Sequence, residues 1–198
     1  MVLHGFASTA HIFATTQPGL SLIEGLEAQG WKVIVPEEPF ASNPARVRVE
    51  LYEGGVQYRK LWDTMFRHDL MAAGPFSTVM VVGISWGGLH ALVAACDNPI
   101  VSALIVHDPV VDAANLTALS GLSLPGLSLQ GCTHRLSTLK GEMSYATQDT
   151  IVGVAPSVAL ANAIASPTMS TVAEHQLHQT TNGDVMLMLN AAQWVING

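Results

Sequence analysis

The stretch Thr78-Val79-Met80-Val81-Val82-Gly83-Ile84-Ser85-Trp86-Gly87-Gly88 sets the fold of this chain. Residues 78–84 are a short apolar run rich in β-branched side chains, which predicts a central strand buried on both faces. Residues 86–97 carry apolar side chains at helical spacing, which predicts a helix directly after it. Ser85 therefore stands on a tight strand-to-helix turn, within the pattern G-x-S-x-G.

Such a turn suits a nucleophilic serine. Gly83 and Gly87 lie two residues on either side of Ser85, and their small size allows the strand and the helix to cross closely. The turn also puts Ser85 at a helix N-terminus, where the Trp86 N–H and the helix dipole can stabilise a developing oxyanion. A serine nucleophile further needs a histidine that accepts its proton and a carboxylate that orients the histidine.

Outside this stretch, apolar runs alternate with amphipathic segments, which is typical of an α/β domain with a mostly parallel sheet. Further strands are predicted at residues 2–3, 31–36, 101–106, within 136–145 and at 171–177. Further helices are predicted at residues 19–29, 51–73, 156–165 and 184–195. Residues 115–131 alternate leucine with Ser, Gly and Pro, which predicts either a surface loop or a short apolar flap over a pocket.

These motifs resemble the α/β-hydrolase superfamily over essentially the whole chain. The segment Val2-Leu3-His4-Gly5-Phe6 is similar to the family's H-G segment after its third strand. The resemblance implies a three-layer α/β-hydrolase fold in a single domain, residues 1–198, without a large cap domain. We count about six strands, because the two antiparallel strands that precede the H-G strand in the full family core are absent. The edge that they would cover needs protection or a partner, which leaves a homodimer open.

The resemblance also implies an order of site residues: nucleophile, acid, histidine. Ser85 would be the nucleophile, and the backbone N–H groups of Phe6 and Trp86 would form the oxyanion hole. Asp149 follows a late predicted strand, where the family keeps its acid. Asp108 ends the strand after the nucleophile helix, a position that some family members use, and is the rival acid.

Two histidines compete for the role of base. His175 and His178 both lie near the end of the last predicted strand. We favour His178, because it lies closer to the turn at residues 179–183, from which a side chain can reach back across the carboxyl edge of the sheet. His175 is expected within the strand, pointing to one face.

The function these residues predict is serine carboxylester hydrolysis through an acyl-enzyme on Ser85, without a cofactor. Short-chain esters are the expected small-molecule substrates, because 198 residues leave no room for a deep, capped acyl tunnel. A lactone, an amide or a polymeric ester is an alternative substrate, because the triad serves acyl transfer generally. A non-catalytic binding protein on the same fold is the alternative from another class.

Composition excludes several other classes. Charged residues make up only 12% of the chain and hydrophobic residues 49%, which excludes disorder. The net charge of −7, without a basic cluster, argues against nucleic-acid binding. Two cysteines in a chain of this length do not make a disulfide scaffold, and Cys132 with His134 offers too few ligands for zinc. The sequence shows neither a secretory signal nor an apolar run of about 18 residues, so we expect no transmembrane segment and a cytoplasmic location.

Overall fold

The apolar runs of the sequence pair into one parallel sheet in the computed structural model, which describes residues 1–4, 9–37, 54–112 and 125–197. Within these residues the sheet has five strands, in the order β1-β2-β3-β4-β5, and every neighbouring pair is parallel. The strands are β1 (Val2–Leu3), β2 (Val79–Ile84), β3 (Val101–His107), β4 (Lys140–Ala146) and β5 (Met169–Glu174). The helices are α1 (Ala10–Thr15), α2 (Gly19–Ala28), α3 (Val56–Ala73), α4 (Trp86–Asp97), α5 (Thr133–Ser137), α6 (Val154–Ile164) and α7 (Asn182–Asn197).

Helices cover both faces of the sheet, which gives three layers. Because successive side chains of a strand point to opposite faces, β2 supplies both cores. Val79 and Val81 pack on the side of α3, α4 and α6. Met80 and Val82 pack on the side of α2 and α7. All six residues of β2 are buried, as the sequence predicts for a central strand.

One predicted strand does not form. Residues 31–37 are all described and contain no strand, so the described sheet has five strands where we expected about six. The segment still contacts the edge of the sheet, since the Val2 N–H donates to the Ile34 carbonyl at 2.9 Å. Among the described residues this is the one backbone hydrogen bond between β1 and residues 31–37, and a single bond does not make a strand ladder.

Three element boundaries differ from the prediction by more than two residues. Helix α3 begins at Val56 and not at residue 51, because Gly54 and Gly55 adopt left-handed backbone angles, with φ of 85° and 74°. Strand β4 begins at Lys140, after the short helix α5. Strand β5 ends at Glu174 and not at residue 177, a difference that bears on the choice of histidine.

Residues 125–132 are tied to α3 and α4. The Arg59 guanidinium forms two hydrogen bonds with the Asp97 carboxylate, at 2.6 and 2.7 Å, and also donates to the carbonyls of Gly126 and Ser128. Of the leucines in the predicted loop or flap, Leu127 and Leu129 are buried. Residues 113–124 lie outside the described residues. None of the described helices is long and apolar enough to cross a membrane.

A disulfide bond between Cys96 and Cys132 strengthens this attachment. It joins the end of α4 to the residue before α5. Composition argued against a disulfide scaffold and gave no sign of this single bond. Disulfides are rare in the cytoplasm, so the bond is at odds with the expected cytoplasmic location.

Removing this bond should destabilise the protein. The two cysteines are 36 residues apart in sequence, so the bond restricts a long loop of the unfolded chain. We expect the Cys96→Ala/Cys132→Ala variant to lose about 2–4 kcal/mol of unfolding free energy. Urea unfolding with and without a reductant measures this loss. The reductant should lower the stability of the wild type alone, and a wild type that is oxidised yet no more stable than the variant would contradict the prediction.

Candidate active site

The turn between β2 and α4 holds Ser85 in an unusual backbone conformation. Its φ of 56° and ψ of −118° lie where non-glycine residues are rare. Hydrogen bonds fix it there: the Ser85 N–H donates to the His107 carbonyl at 3.0 Å, and the Ser85 carbonyl accepts from the N–H groups of Gly88 and Val110 at 2.9 and 3.0 Å. Strain of this kind is retained where the surrounding structure imposes it, and it clusters at active sites.

Two glycines make the turn feasible. A Cβ atom on Gly87 would collide with the backbone carbonyl oxygens of Leu3 in β1 and of His4, the residue after it. A Cβ atom on Gly83 would lie 2.7 Å from the Cβ of Ala91 in α4. The small residues predicted at these two positions are therefore required by the close crossing of β1, β2 and α4.

Three of the predicted site residues meet at the carboxyl edge of the sheet. Ser85 Oγ lies 2.8 Å from His178 Nε2, and His178 Nδ1 lies 2.7 Å from Asp149 Oδ2. Both are hydrogen-bond distances. The His178 side chain is 12% exposed and that of Asp149 is 3% exposed, so the histidine is reachable from solvent and the carboxylate lies behind it. The arrangement can deprotonate the serine and hold the resulting imidazolium.

The backbone after β4 fixes the Asp149 carboxylate. Its Oδ1 accepts hydrogen bonds from the N–H groups of Ile151 and Val152, at 2.8 and 2.9 Å. These bonds leave Oδ2 for His178 Nδ1. Because a carboxylate only accepts, His178 carries its proton on Nδ1, and Nε2 is free to accept the proton of Ser85.

Asp108, the rival acid, lies beside this group without bonding to the histidine. Its carboxylate, that of Asp149 and the ring of His178 offer oxygen and nitrogen atoms within 4.8 Å of one another. Asp108 is 2% exposed and has a positive φ of 43°. Its Oδ1 accepts from the Ala146 N–H at 2.6 Å, while Oδ2 has no hydrogen-bond partner among the described residues. Burial raises the pKa of Asp108.

His175, the rival base, lies away from Ser85. Because β5 ends at Glu174, His175 is not within the strand as expected, but exposed on the loop that follows. Its ring nitrogens lie 3.2 Å from Thr147 Oγ1 and 2.9 Å from Gln148 Nε2. The structure therefore brings His178, and not His175, to Ser85.

The predicted oxyanion donors are described only in part. Trp86 is the first residue of α4, so its backbone N–H lies at a helix N-terminus beside Ser85. Its side chain is 1% exposed and its indole N–H donates to Tyr58 Oη at 3.4 Å, which makes the ring part of the core. Phe6 lies outside the described residues.

Sequence reasoning missed a buried polar cluster behind Ser85, His178 and Asp149. His107, at the end of β3, is fully buried, with Ser144 Oγ 2.8 Å from Nδ1 and the Gln179 carbonyl 3.0 Å from Nε2. Glu174 and Asp184 each place a carboxylate oxygen within 4 Å of the ring. The only sequence signal was the position of His107 at the end of the strand that follows the nucleophile helix. His107, Glu174 and Asp184 have the spacing of metal ligands, but both His107 nitrogens already have protein partners.

Replacing Asp108 with asparagine should stabilise the folded protein at neutral pH. Burial raises the pKa of this carboxyl group, so ionising it costs more in the folded chain than in the unfolded chain. The resulting loss of stability is absent below the ordinary pKa of 3.8, grows as the pH rises through the raised folded-state pKa, and is constant above it. We expect Asp108→Asn to gain about 1–2 kcal/mol of unfolding free energy at neutral pH and almost nothing in acid.

Urea unfolding at two pH values tests this prediction. Glu24→Gln, at an exposed carboxylate of helix α2, is the control and should change stability at neither pH. A variant of Asp108 that is less stable than the wild type at neutral pH would show that its carboxylate is needed in ionised form.

A parallel sheet with helices on both faces, and a serine on the tight turn after a central strand, defines the α/β-hydrolase class of architecture. Residues 1–130 match the α/β-hydrolase fold family in sequence, and the chain belongs to that family. A search of curated proteins finds no match.

Solved structures show the same architecture at low sequence identity. A protein from Thermus thermophilus has a TM-score of 0.72 and 14% identity, and the match covers 100% of this chain and 88% of that one. A monoacylglycerol lipase from Paleococcus ferrophilus has a TM-score of 0.62 and 12% identity, over 98% of this chain and 92% of that one. A chain described with LipS and LipT, two lipolytic enzymes from a metagenome, has a TM-score of 0.63 and 17% identity, over 98% and 91%. At these identities the likeness concerns the fold alone.

Proposed function

We propose that this chain is a serine carboxylester hydrolase that works through an acyl-enzyme on Ser85. The observation that carries the proposal is the continuous hydrogen-bonded path from Ser85 Oγ through His178 to Asp149, with distances of 2.8 and 2.7 Å. A serine hydroxyl is a weak nucleophile unless a base accepts its proton, and this path supplies the base and the group that orients it.

The reaction divides into two acyl transfers. Ser85 Oγ attacks the ester carbonyl while its proton passes to His178 Nε2, and the imidazolium is stabilised by Asp149. His178 then returns the proton to the leaving alcohol as the carbon–oxygen bond of the ester breaks, which leaves an acyl group on Ser85. A water molecule, deprotonated by His178, attacks this acyl group, and the proton returns to Ser85 Oγ as the acid departs.

The tetrahedral intermediates of both steps carry an oxyanion. In our proposal the backbone N–H groups of Trp86, at the start of α4, and of Phe6 donate to this oxyanion. Each such donor contributes about 3–4 kcal/mol in comparable acyl-transfer sites. The positive end of the α4 dipole acts in the same direction.

The proposed substrates are short-chain esters. Two of the similar structures are described as a monoacylglycerol lipase and as lipolytic enzymes, which favours ester chemistry. The triad itself does not distinguish an ester from a lactone or an amide. We also propose that the whole chain, residues 1–198, forms one domain.

A fluorophosphonate probe, which reacts with activated serines, tests the proposal. We expect the label on the peptide that contains Ser85, with hydrolysis of p-nitrophenyl acetate and butyrate faster than that of the palmitate. A label on Ser85 with comparable rates for short and long chains would refute the substrate preference alone. Folded protein without any label would refute the hydrolase mechanism and favour a binding protein on this fold.

A further inference from the structure

The buried ring of His107 connects strand β3 to the loop that carries His178. This loop runs between β5 and α7, and Gln179, the residue after His178, accepts a hydrogen bond from His107 Nε2 at 3.0 Å. A carbonyl oxygen only accepts, so Nε2 must carry a proton. In the neutral ring Nδ1 then accepts from the Ser144 hydroxyl at 2.8 Å, which fixes the plane of the ring.

Hydrogen bonds hold the loop on both sides of His178. Before the histidine, the Gln148 N–H donates to the Gln176 carbonyl at 3.0 Å, and the Gln176 amide donates to Glu174 and Asp184 at 2.8 and 3.3 Å. Among the described residues, the bond from His107 is the one that holds the Gln179 carbonyl, directly after the histidine.

Apolar packing does little to fix this loop. Leu177 is 56% exposed, and Gln179 is exposed as well. The position of the His178 backbone therefore depends on polar contacts. His107 provides one of them: its ring is held by Ser144 in β4 and donates to the Gln179 carbonyl in the loop beyond.

The surroundings of His107 are acidic, but its own hydrogen-bond partners are neutral. Asp108 on the end of β3, Glu174 on β5 and Asp184 in α7 place carboxylate oxygens 3.6, 3.9 and 3.8 Å from the ring nitrogens. Nε2 donates to a backbone carbonyl and Nδ1 contacts a hydroxyl, so neither hydrogen-bond partner is a carboxylate, and these contacts favour a positional role over a proton relay.

We propose that His107 is a positioning residue, which keeps His178 Nε2 within hydrogen-bond reach of Ser85 by holding the Gln179 carbonyl. The inference rests on the proposed function, because it assigns a task to a residue that supports the catalytic base. Displacing a catalytic group by about 1 Å can lower the rate about 100-fold. Loss of the His107 contact should therefore lower kcat and leave KM almost unchanged.

Two substitutions of His107 by neutral amide residues distinguish the effect of its contact with Gln179 from that of its contact with Ser144. In His107→Gln the amide nitrogen can occupy the place of Nε2 and keep the bond to Gln179. In His107→Asn the amide can replace only Nδ1, so the bond to Gln179 is lost while that to Ser144 is kept. We expect kcat to fall about 10- to 100-fold in His107→Asn and less than about fivefold in His107→Gln, with KM within about twofold in both.

Asn98→Ala is the control for a general loss of stability. Asn98 is buried at the opposite end of α4 from Ser85 and donates to Asp63 and to the Ala94 carbonyl. This variant should lose stability without a change in kcat. The proton NMR signal of the His178 Nδ1 proton should weaken in His107→Asn and persist in His107→Gln and Asn98→Ala.

Equal losses of kcat in the two His107 variants, or no loss in either, would overturn the inference. If the variants do not fold, nitrogen NMR of the wild type decides instead, because a His107 ring protonated on Nδ1 alone could not donate to Gln179. Failure of the proposed function is a separate result, because it would appear in the wild type as an absence of fluorophosphonate label on Ser85.

Discussion

Replacing Ser85 with alanine should lower kcat for ester hydrolysis about 10⁴- to 10⁶-fold without unfolding the protein. The variant lacks the oxygen that attacks the carbonyl, so any residual rate comes from substrate binding and from the oxyanion donors. The backbone of Ser85 is held by His107, Gly88 and Val110 through main-chain atoms only, which alanine retains. Steady-state kinetics with p-nitrophenyl acetate, together with urea unfolding, measure both parts of this result.

Ser157→Ala is a matched control for this substitution. Ser157 is a buried serine of α6, and its hydroxyl lies 3.5 Å from the Gly153 carbonyl. Its removal should leave kcat and the labelling of Ser85 unchanged. A folded Ser85→Ala protein that still hydrolyses the ester at a rate near that of the wild type would exclude Ser85 as the nucleophile.

Replacing His178 with alanine should lower kcat about 10⁴-fold or more, whereas His175→Ala should change it by less than about twofold. Without His178, no base lies within hydrogen-bond reach of Ser85 Oγ among the described residues. His175 instead bonds to Thr147 and Gln148 on the surface. The two variants have the same substitution three positions apart, so a general effect on the loop would appear in both.

The rate at which each variant reacts with the fluorophosphonate probe distinguishes loss of the base from loss of the nucleophile. His178→Ala should still carry the serine but react with the probe far more slowly than the wild type. His175→Ala should label at the wild-type rate. A large loss in His175→Ala, with His178→Ala active, would show that the loop carries a different base from the one the geometry indicates.

The centre of the fold was predictable because its signals are local. The run at residues 78–84, the serine turn and helix α4 follow from neighbouring residues, and α4 begins and ends where the sequence indicated. Residues 31–36 show the opposite case. Their apolar pattern is typical of a strand, but a strand also needs a ladder with a neighbour elsewhere in the chain, and the described residues show one backbone hydrogen bond to β1.

The sequence indicated which residues meet at the candidate site, but not every contact around them. The order of site residues implied by the α/β-hydrolase resemblance narrowed the base to His175 or His178, and a shift of three residues at the end of β5 moves His175 out of the strand. His107 escaped sequence reasoning altogether, because its partners Ser144 and Gln179 are 37 and 72 positions away. Such contacts arise only once the parallel strands β3, β4 and β5 are in register.

The tight crossing at Gly87 has a consequence for mutational scans of this chain. Gly87 has no side chain that could take part in the reaction, yet any Cβ there would meet the carbonyl oxygens of Leu3 and His4. A library scored only by turnover would therefore place Gly87 and Ser85 in the same intolerant group. Scoring the same library for the amount of folded protein should separate them, since we expect Ser85→Ala to leave a folded, inactive protein and substitutions of Gly87 to lower the amount of folded protein.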